Sequence, residues 1–257
     1  SGSDHSWNAE STTAPNCNAS GPITVPSPPA GSADHDFDML VDILWNVHLL
    51  ELGPRARGRH RGGAYYNEWF DSVDLSNLQR QIIHEEKSIG LNKAESAKIA
   101  LNRINSDINV IPIKKQLNIE EVKAIAEDVD VIVDCSDNFE TRYALNEIAF
   151  DLKRPLISGA AIKFDGQVSI FDFRTNNSPC YNCLFPRNDE EQNLKCSDHG
   201  VFSPLVGLVG SIQAGEVIKV LLNIGTTLHG KLLLINHRDI DFKSLKIQKD
   251  KYCEICA

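Results

Sequence analysis

Two cysteine pairs with Cys-x-x-Cys spacing, Cys180/Cys183 and Cys253/Cys256, can each grip one side of a tetrahedral ion. Four thiolates at about 2.3 Å make a closed structural zinc site with no open position for chemistry. An ion there would pin the C-terminal segment to the region of Cys180. The same cysteines also read as two unrelated or redox dithiols, although a thioredoxin-type pair belongs near the start of a βαβ unit rather than at a chain end. A second constellation is Asp71-Ser-Val-Asp-Leu-Ser-Asn-Leu-Gln-Arg-Gln81, followed by Lys93. Arg80 offers a bidentate fork and Lys93 a point charge, a combination suited to a triphosphate, and a solvated loop before a helix uses the same residue types. A third, Asp134-Cys-Ser-Asp-Asn138, follows an apolar run at 129–133. A carboxylate at the carboxyl end of a strand in an open α/β sheet can share Mg²⁺ with substrate phosphates. Asp-x-x-Asp-Asn is equally good helix-capping chemistry.

The elements that must position these groups are legible from about residue 70 onward. Ala94, Ala97, Ala100, Leu101 and Ile104 fall at helical spacing over 92–104, and 108–113 reads as a strand. Ile119, Val122, Ile125 and Ala126 mark a second helix, and 129–133 is a short apolar run typical of a strand buried on both faces. Helix over 143–152 and strand over 155–157 continue the alternation, which argues for a mostly parallel α/β sheet. Strands at 167–173 and 231–235 flank a long apolar helix and predict completion of the sheet by antiparallel strands.

The first part of the chain has another character. Residues 1–35 are rich in Ser, Pro, Gly, Asn and Ala and read as disordered. The apolar cluster Met39, Leu40, Ile43, Leu44, Val47, Leu49 and Leu50 predicts one short helix over 38–52, and the Arg-rich run at 54–61 a solvated loop. A net charge of −9 argues against nucleic acid as the main partner. Seven cysteines, an odd number with four in paired spacing, favour a reducing compartment over a disulfide framework. No signal-peptide pattern opens the sequence, and the apolar stretch at 205–222 is interrupted by Gln213, Glu216 and Lys219, as in a core helix rather than a membrane span. These features predict a cytoplasmic, soluble protein.

Ser-Asn-Leu-Gln-Arg-Gln (76–81), Lys93, Asp-Cys-Ser-Asp-Asn (134–138), Ser-Gly-Ala-Ala (158–161), Cys-Tyr-Asn-Cys (180–183) and Cys-Glu-Ile-Cys (253–256), in this order, resemble the ThiF/MoeB/HesA family of adenylyltransferases. The resemblance covers residues 70–257 and implies a Rossmann-like α/β domain with a structural zinc site made by the four paired cysteines. It implies ATP-dependent adenylation of the C-terminal glycine of a ubiquitin-like sulfur-carrier protein ending in Gly-Gly, for thiamin thiazole or molybdopterin synthesis. Asp71, Asn77, Arg80, Gln81, Lys93 and Asn138 would then hold ATP, and Asp137 Mg²⁺. Catalysis by alignment and cationic stabilisation would involve Arg80, Lys93 and Asp137. Cys196 matches a cysteine that in ThiF-like members bonds to the activated carrier or transfers sulfur, and its plain alternative is a free thiol. Cys196 and Cys-Leu-Phe-Pro (183–186) point toward the ThiF side. Homodimerisation is implied as well.

The family's N-terminal strand, glycine-rich loop and ribose-binding acid are not legible. Gly58, Gly62 and Gly63 lie in an Arg/His run, Trp69 stands where an acid is expected, and only Phe70 and Asp71 match. Arginine-rich text cannot bring backbone N–H groups to a phosphate as glycine does. The abrupt switch from this text to the family-like pattern makes residues 1 to about 68 read as out-of-frame translation or a mis-called exon, leaving the sheet without a readable central strand. The alternative function is a catalytically inactive, zinc-stabilised scaffold for a ubiquitin-like partner. With Cys253 and Cys256 close to Ala257, the sequence predicts no appended rhodanese-like domain of the kind some relatives carry.

Overall fold

The computed structural model describes residues 71–106, 109–187 and 200–257, with the backbone of Met39–Val41 and Gly63–Tyr66. In chain order the elements are β1 (Met39–Val41), β2 (Gly63–Tyr66), α1 (Lys93–Ile104), β3 (Val110–Ile113), α2 (Ile119–Ala126), β4 (Val131–Asp134) and α3 (Phe139–Leu152). There follow β5 (Pro155–Ile162), β6 (Asp165–Asp172), the one-turn helix α4 (Tyr181–Leu184), α5 (Ser203–Leu222), β7 (Lys231–Asn236) and β8 (Asp241–Lys246).

The starts of α1, α2 and α3 are fixed by side chains. Asn92 Oδ1 accepts from the N–H groups of Ala94 and Glu95, Asn118 and Glu121 close a capping box on α2, and Asn138 Oδ1 accepts from Thr141 N–H on α3. Helices α3 and α5 both stop at a left-handed residue, Lys153 and Asn223.

The described strands form one sheet in the order β3-β2-β1-β4-β5-β6-β7-β8. From β3 to β5 all pairs are parallel, and β6, β7 and β8 add antiparallel. This is the doubly wound order, in which the switch of direction between β1 and β4 opens a crevice at the strands' carboxyl ends. The α/β class and the antiparallel continuation agree with the sequence reading.

Two expectations are corrected. Met39–Val41, inside the segment read as a helix, is a strand paired with β2 on one side and β4 on the other. A short apolar run with a parallel strand on each side has no periodicity to separate it from a helix. The central strand that could not be read is thus present, and Gly63–Tyr66 lies beside it. The reading of 1–35, the loop at 54–61, the glycine-rich loop and most of the supposed out-of-frame segment fall outside the described residues. Strand β8 was not foreseen: every residue of it is exposed, so no buried face imposes alternation on Asp-Phe-Lys-Ser-Leu-Lys.

The length and apolarity of α5 would suffice to cross a bilayer. Here Leu205, Val206, Val209, Gly210, Gln213, Glu216, Val217 and Val220 are buried, and Gly166 of β6 has room for only a hydrogen, since a Cβ would lie 2.9 Å from Leu205 and Val209 side-chain atoms. One core cluster joins Val131, Val133, Ile157 and Ile170 of the sheet to Val217 and Val220 of α5. Ile157→Ala, at a fully buried position, should lower the unfolding free energy by about 2–5 kcal/mol, read from urea midpoints.

Candidate active site

Residues 71–93 are held as a closed excursion leading into α1. Val73 N–H donates to Leu91 O (2.8 Å), Gly90 N–H to Val73 O (2.8 Å) and Lys93 N–H to Asp71 O (3.0 Å). Gly90 turns the chain at φ +85°, a conformation that favours glycine. This closure sets Asp71 beside Lys93, whose ammonium donates to the Asp71 carboxylate; the Lys93 side chain is 12% exposed. Within the excursion a 3-10 turn, Leu75–Asn77, is closed by reciprocal bonds: Ser76 N–H to Asp74 Oδ1 (2.8 Å) and Asp74 N–H to Asn77 Oδ1 (3.0 Å). The Asn77 oxygen is thereby used, which leaves its NH₂ as the donor end. Arg80 Nη1 donates to Ser76 O (3.0 Å). Ser203, in the first turn of α5, donates to Gln79 Oε1 and fastens the excursion to that helix.

Facing it is the turn after β4. Asp134 is 1% exposed; its Oδ1 accepts the Ser136 N–H (2.9 Å) and hydroxyl (2.6 Å), and its Oδ2 accepts the Ser158 hydroxyl (2.6 Å). Arg142, from the first turn of α3, donates through Nη2 to Ser136 O (2.5 Å) and holds Nε 3.8 Å from Asp134 Oδ2. Asp137 projects from this fixed turn.

Asp71, Asn77, Arg80, Gln81, Lys93 and Asp137 all line one cavity of ≈ 330 Å³, together with Gln79, Ser136, Arg142, Gly159 to Ala161 and the α5 face bearing Val206, Gly210 and Gln213. Asn138 is not among the lining residues; its side chain caps α3. Cys196 lies outside the described residues. Sequence reasoning passed over Arg142 and Gln213. The polar interruption of an apolar helix by Gln213 was the available signal, because a buried amide must find partners.

Burial pulls the Arg80 guanidinium below its ordinary value, opposed by the nearby Asp137 carboxylate. The donor set suits a magnesium-bound triphosphate: Arg80, Lys93 and neutral amides for the phosphate oxygens, and the Asp137 carboxylate for an ion that takes its other ligands from phosphates and water.

Cys180, Cys183, Cys253 and Cys256 come together at a separate place, all four sulfurs within 4.8 Å of one another, and none forms a disulfide. Three Sγ···Sγ separations are 3.8, 3.5 and 3.4 Å. A tetrahedron with bonds of about 2.3 Å has edges of about 3.8 Å, so the cluster can close on zinc with small adjustments. Asn182 Nδ2 lies 3.6 Å from Cys253 Sγ, and Asp250 N–H donates to Cys183 Sγ (3.4 Å), the kind of N–H···S contact that steadies a thiolate ligand. This arrangement favours the metal over two separate dithiols.

His84, with Nδ1 2.9 Å from Ser96 Oγ, is pushed down to about 4 by burial and by the Lys93 ammonium, against an opposing pull from Asp71. The unfolded chain then takes up the proton first, near 6.5. His84 thus contributes stability that is full above about pH 6.5 and is lost as the pH falls toward 4. Replacing His84 with Gln should flatten that part of the stability curve, measured as urea midpoints between about pH 4 and 7.

Comparison with known proteins agrees with this geometry. The ThiF family model matches residues 70–255. Molybdopterin-synthase adenylyltransferase of Escherichia coli (strain K12) is 41% identical over 188 residues, 73% of this chain and 75% of that protein. The adenylyltransferase and sulfurtransferase MOCS3 of Aedes aegypti is 38% identical over 190 residues, 73% of this chain and 43% of that one. Among solved structures, E. coli MccB with ATP superposes with a TM-score of 0.63 at 21% identity, covering 76% of this chain and 59% of MccB, which shows a shared fold. Family match and sequence identity together establish that the chain belongs to the ThiF family.

Proposed function

We propose that this chain adenylates the C-terminal glycine of a ubiquitin-like sulfur-carrier protein. The observation that carries the reading is the convergence of Asn77, Arg80, Gln81, Lys93 and Asp137, from well-separated stretches of sequence, on one cavity at the strands' carboxyl ends. In the reaction a carrier carboxylate oxygen bonds to the α-phosphorus of ATP, the bond from that phosphorus to the bridging oxygen breaks, and pyrophosphate leaves. Arg80, Lys93 and the Asn77 amide would neutralise charge growing on the phosphate oxygens, and Asp137 would hold Mg²⁺. Lys93 would exchange its Asp71 partner for phosphate. Ala160, Ala161 and Gly210 present only small side chains to the cavity, which suits a tail ending in glycine.

The relatives' names favour a carrier of the molybdopterin route over one of the thiazole route. Zinc in the four-cysteine cluster, a homodimeric state and a cytoplasmic setting belong to the same proposal. So does a role for Cys196 in bonding to the carrier or passing sulfur. The lack of a readable glycine-rich loop in the sequence is the feature that favours the inactive-scaffold alternative.

Pyrophosphate exchange with ATP, Mg²⁺ and a carrier ending in Gly-Gly tests the reading. Exchange should be present in the unaltered chain and fall by about 10²- to 10³-fold in Arg80→Ala or Asp137→Asn; no exchange in the unaltered, folded chain would leave the scaffold. Cys196→Ala should leave exchange intact. Elemental analysis should find about one zinc per chain, lost together with thermal stability in Cys253→Ser.

A further inference from the structure

Gln213 enters the cavity wall from the middle of α5 and is 2% exposed. Its amide is saturated in one orientation. Nε2 donates to the carbonyl oxygens of Asp134 (2.9 Å) and Ile157 (3.4 Å), and Oε1 accepts from Cys135 Sγ (3.5 Å). Reversing the amide would set Oε1 against two carbonyl oxygens. The two carbonyls belong to neighbouring parallel strands, β4 and β5, where the cavity begins. The sheet leaves space for the side chain: a Cβ on Gly159 would lie 2.4 Å from both Gln213 Cδ and Oε1. Burying an amide is costly unless it is paired, and a methionine would fill the same volume at lower cost, so packing alone does not account for glutamine here.

What the amide holds leads directly to Asp137. Gln213 fixes the backbone at Asp134 and the thiol of Cys135, the Asp134 carboxylate and Arg142 fix Ser136, and Asp137 is the next residue. We propose that Gln213 is a positioning residue for the metal-binding carboxylate: acting through residues 134–136, it sets where Asp137 meets the magnesium of the bound nucleotide. The inference rests on the reading of Asp137 given above.

Calorimetric binding of ATP at a series of Mg²⁺ concentrations provides a readout other than turnover. Gln213→Met keeps volume and removes the donor, and Gly159→Ala displaces the amide without deleting it. Each should raise the half-saturating Mg²⁺ concentration by about tenfold, the scale on which partners of metal ligands act, while the far-UV circular dichroism stays that of the unaltered chain. In an Asp137→Ala background Gln213→Met should add nothing, because the two changes would act on one contact. If either variant fails to fold, the other still reads the position. Unchanged Mg²⁺ dependence in a folded variant, or additive effects in the double variant, would overturn the positioning role. An unaltered chain that binds no Mg²⁺-ATP would instead overturn the nucleotide reading on which it rests.

Discussion

A carboxylate sealed at the end of a central strand organises this molecule. Asp134 closes β4 with almost no exposure, and a buried carboxylate without donors would cost several kcal/mol. Its partners come from three directions: Ser136 from its own turn, Ser158 from β5 and Arg142 from α3. Gln213 of α5 takes the carbonyl of the same residue. One polar knot therefore ties two strands and two helices at the point where the crevice opens.

The two halves of the sheet have separate tasks. The parallel half brings the carboxyl ends of β4 and β5 to the crevice, and the closed excursion before α1 faces them with Arg80 and Lys93. The antiparallel half, β6 to β8, contributes none of the described lining residues of the cavity but provides the surface onto which α5 packs through Gly166 and Val168. Because α5 is clamped to both halves, its Val206, Gly210 and Gln213 face stands at a fixed height over Gly159 and Ala160.

The cysteine cluster is built differently. Its two halves are far apart in the chain yet lie within hydrogen-bonding distance, next to a core of aromatic rings in which Tyr181 packs edge-on against Tyr143 and Phe171. Tyr181 follows Cys180, and its N–H donates to the Asn146 side chain (2.8 Å). The cluster is thus joined to α3, the helix that also carries Arg142, through packed side chains rather than through the cavity.

The sequence by itself picked out several of the polar residues that meet at the cavity, the paired cysteines and the alternation of strands and helices from β3 onward, because each depends on residue type and short-range spacing. Asn77, Arg80, Lys93 and Asp137 were legible in this way, as were α1, α2 and β4. It misassigned Met39–Val41, since a strand with neighbours on both sides needs only to be apolar, and it missed β8, which has no buried face. Only the tertiary structure decided that β1 lies between β2 and β4, that Arg142 and Gln213 support the Asp137 turn, and that Asn138 serves as a cap. Those outcomes depend on contacts between residues tens of positions apart, where the pairing of a buried donor with its acceptor is fixed by packing and leaves no local pattern to read.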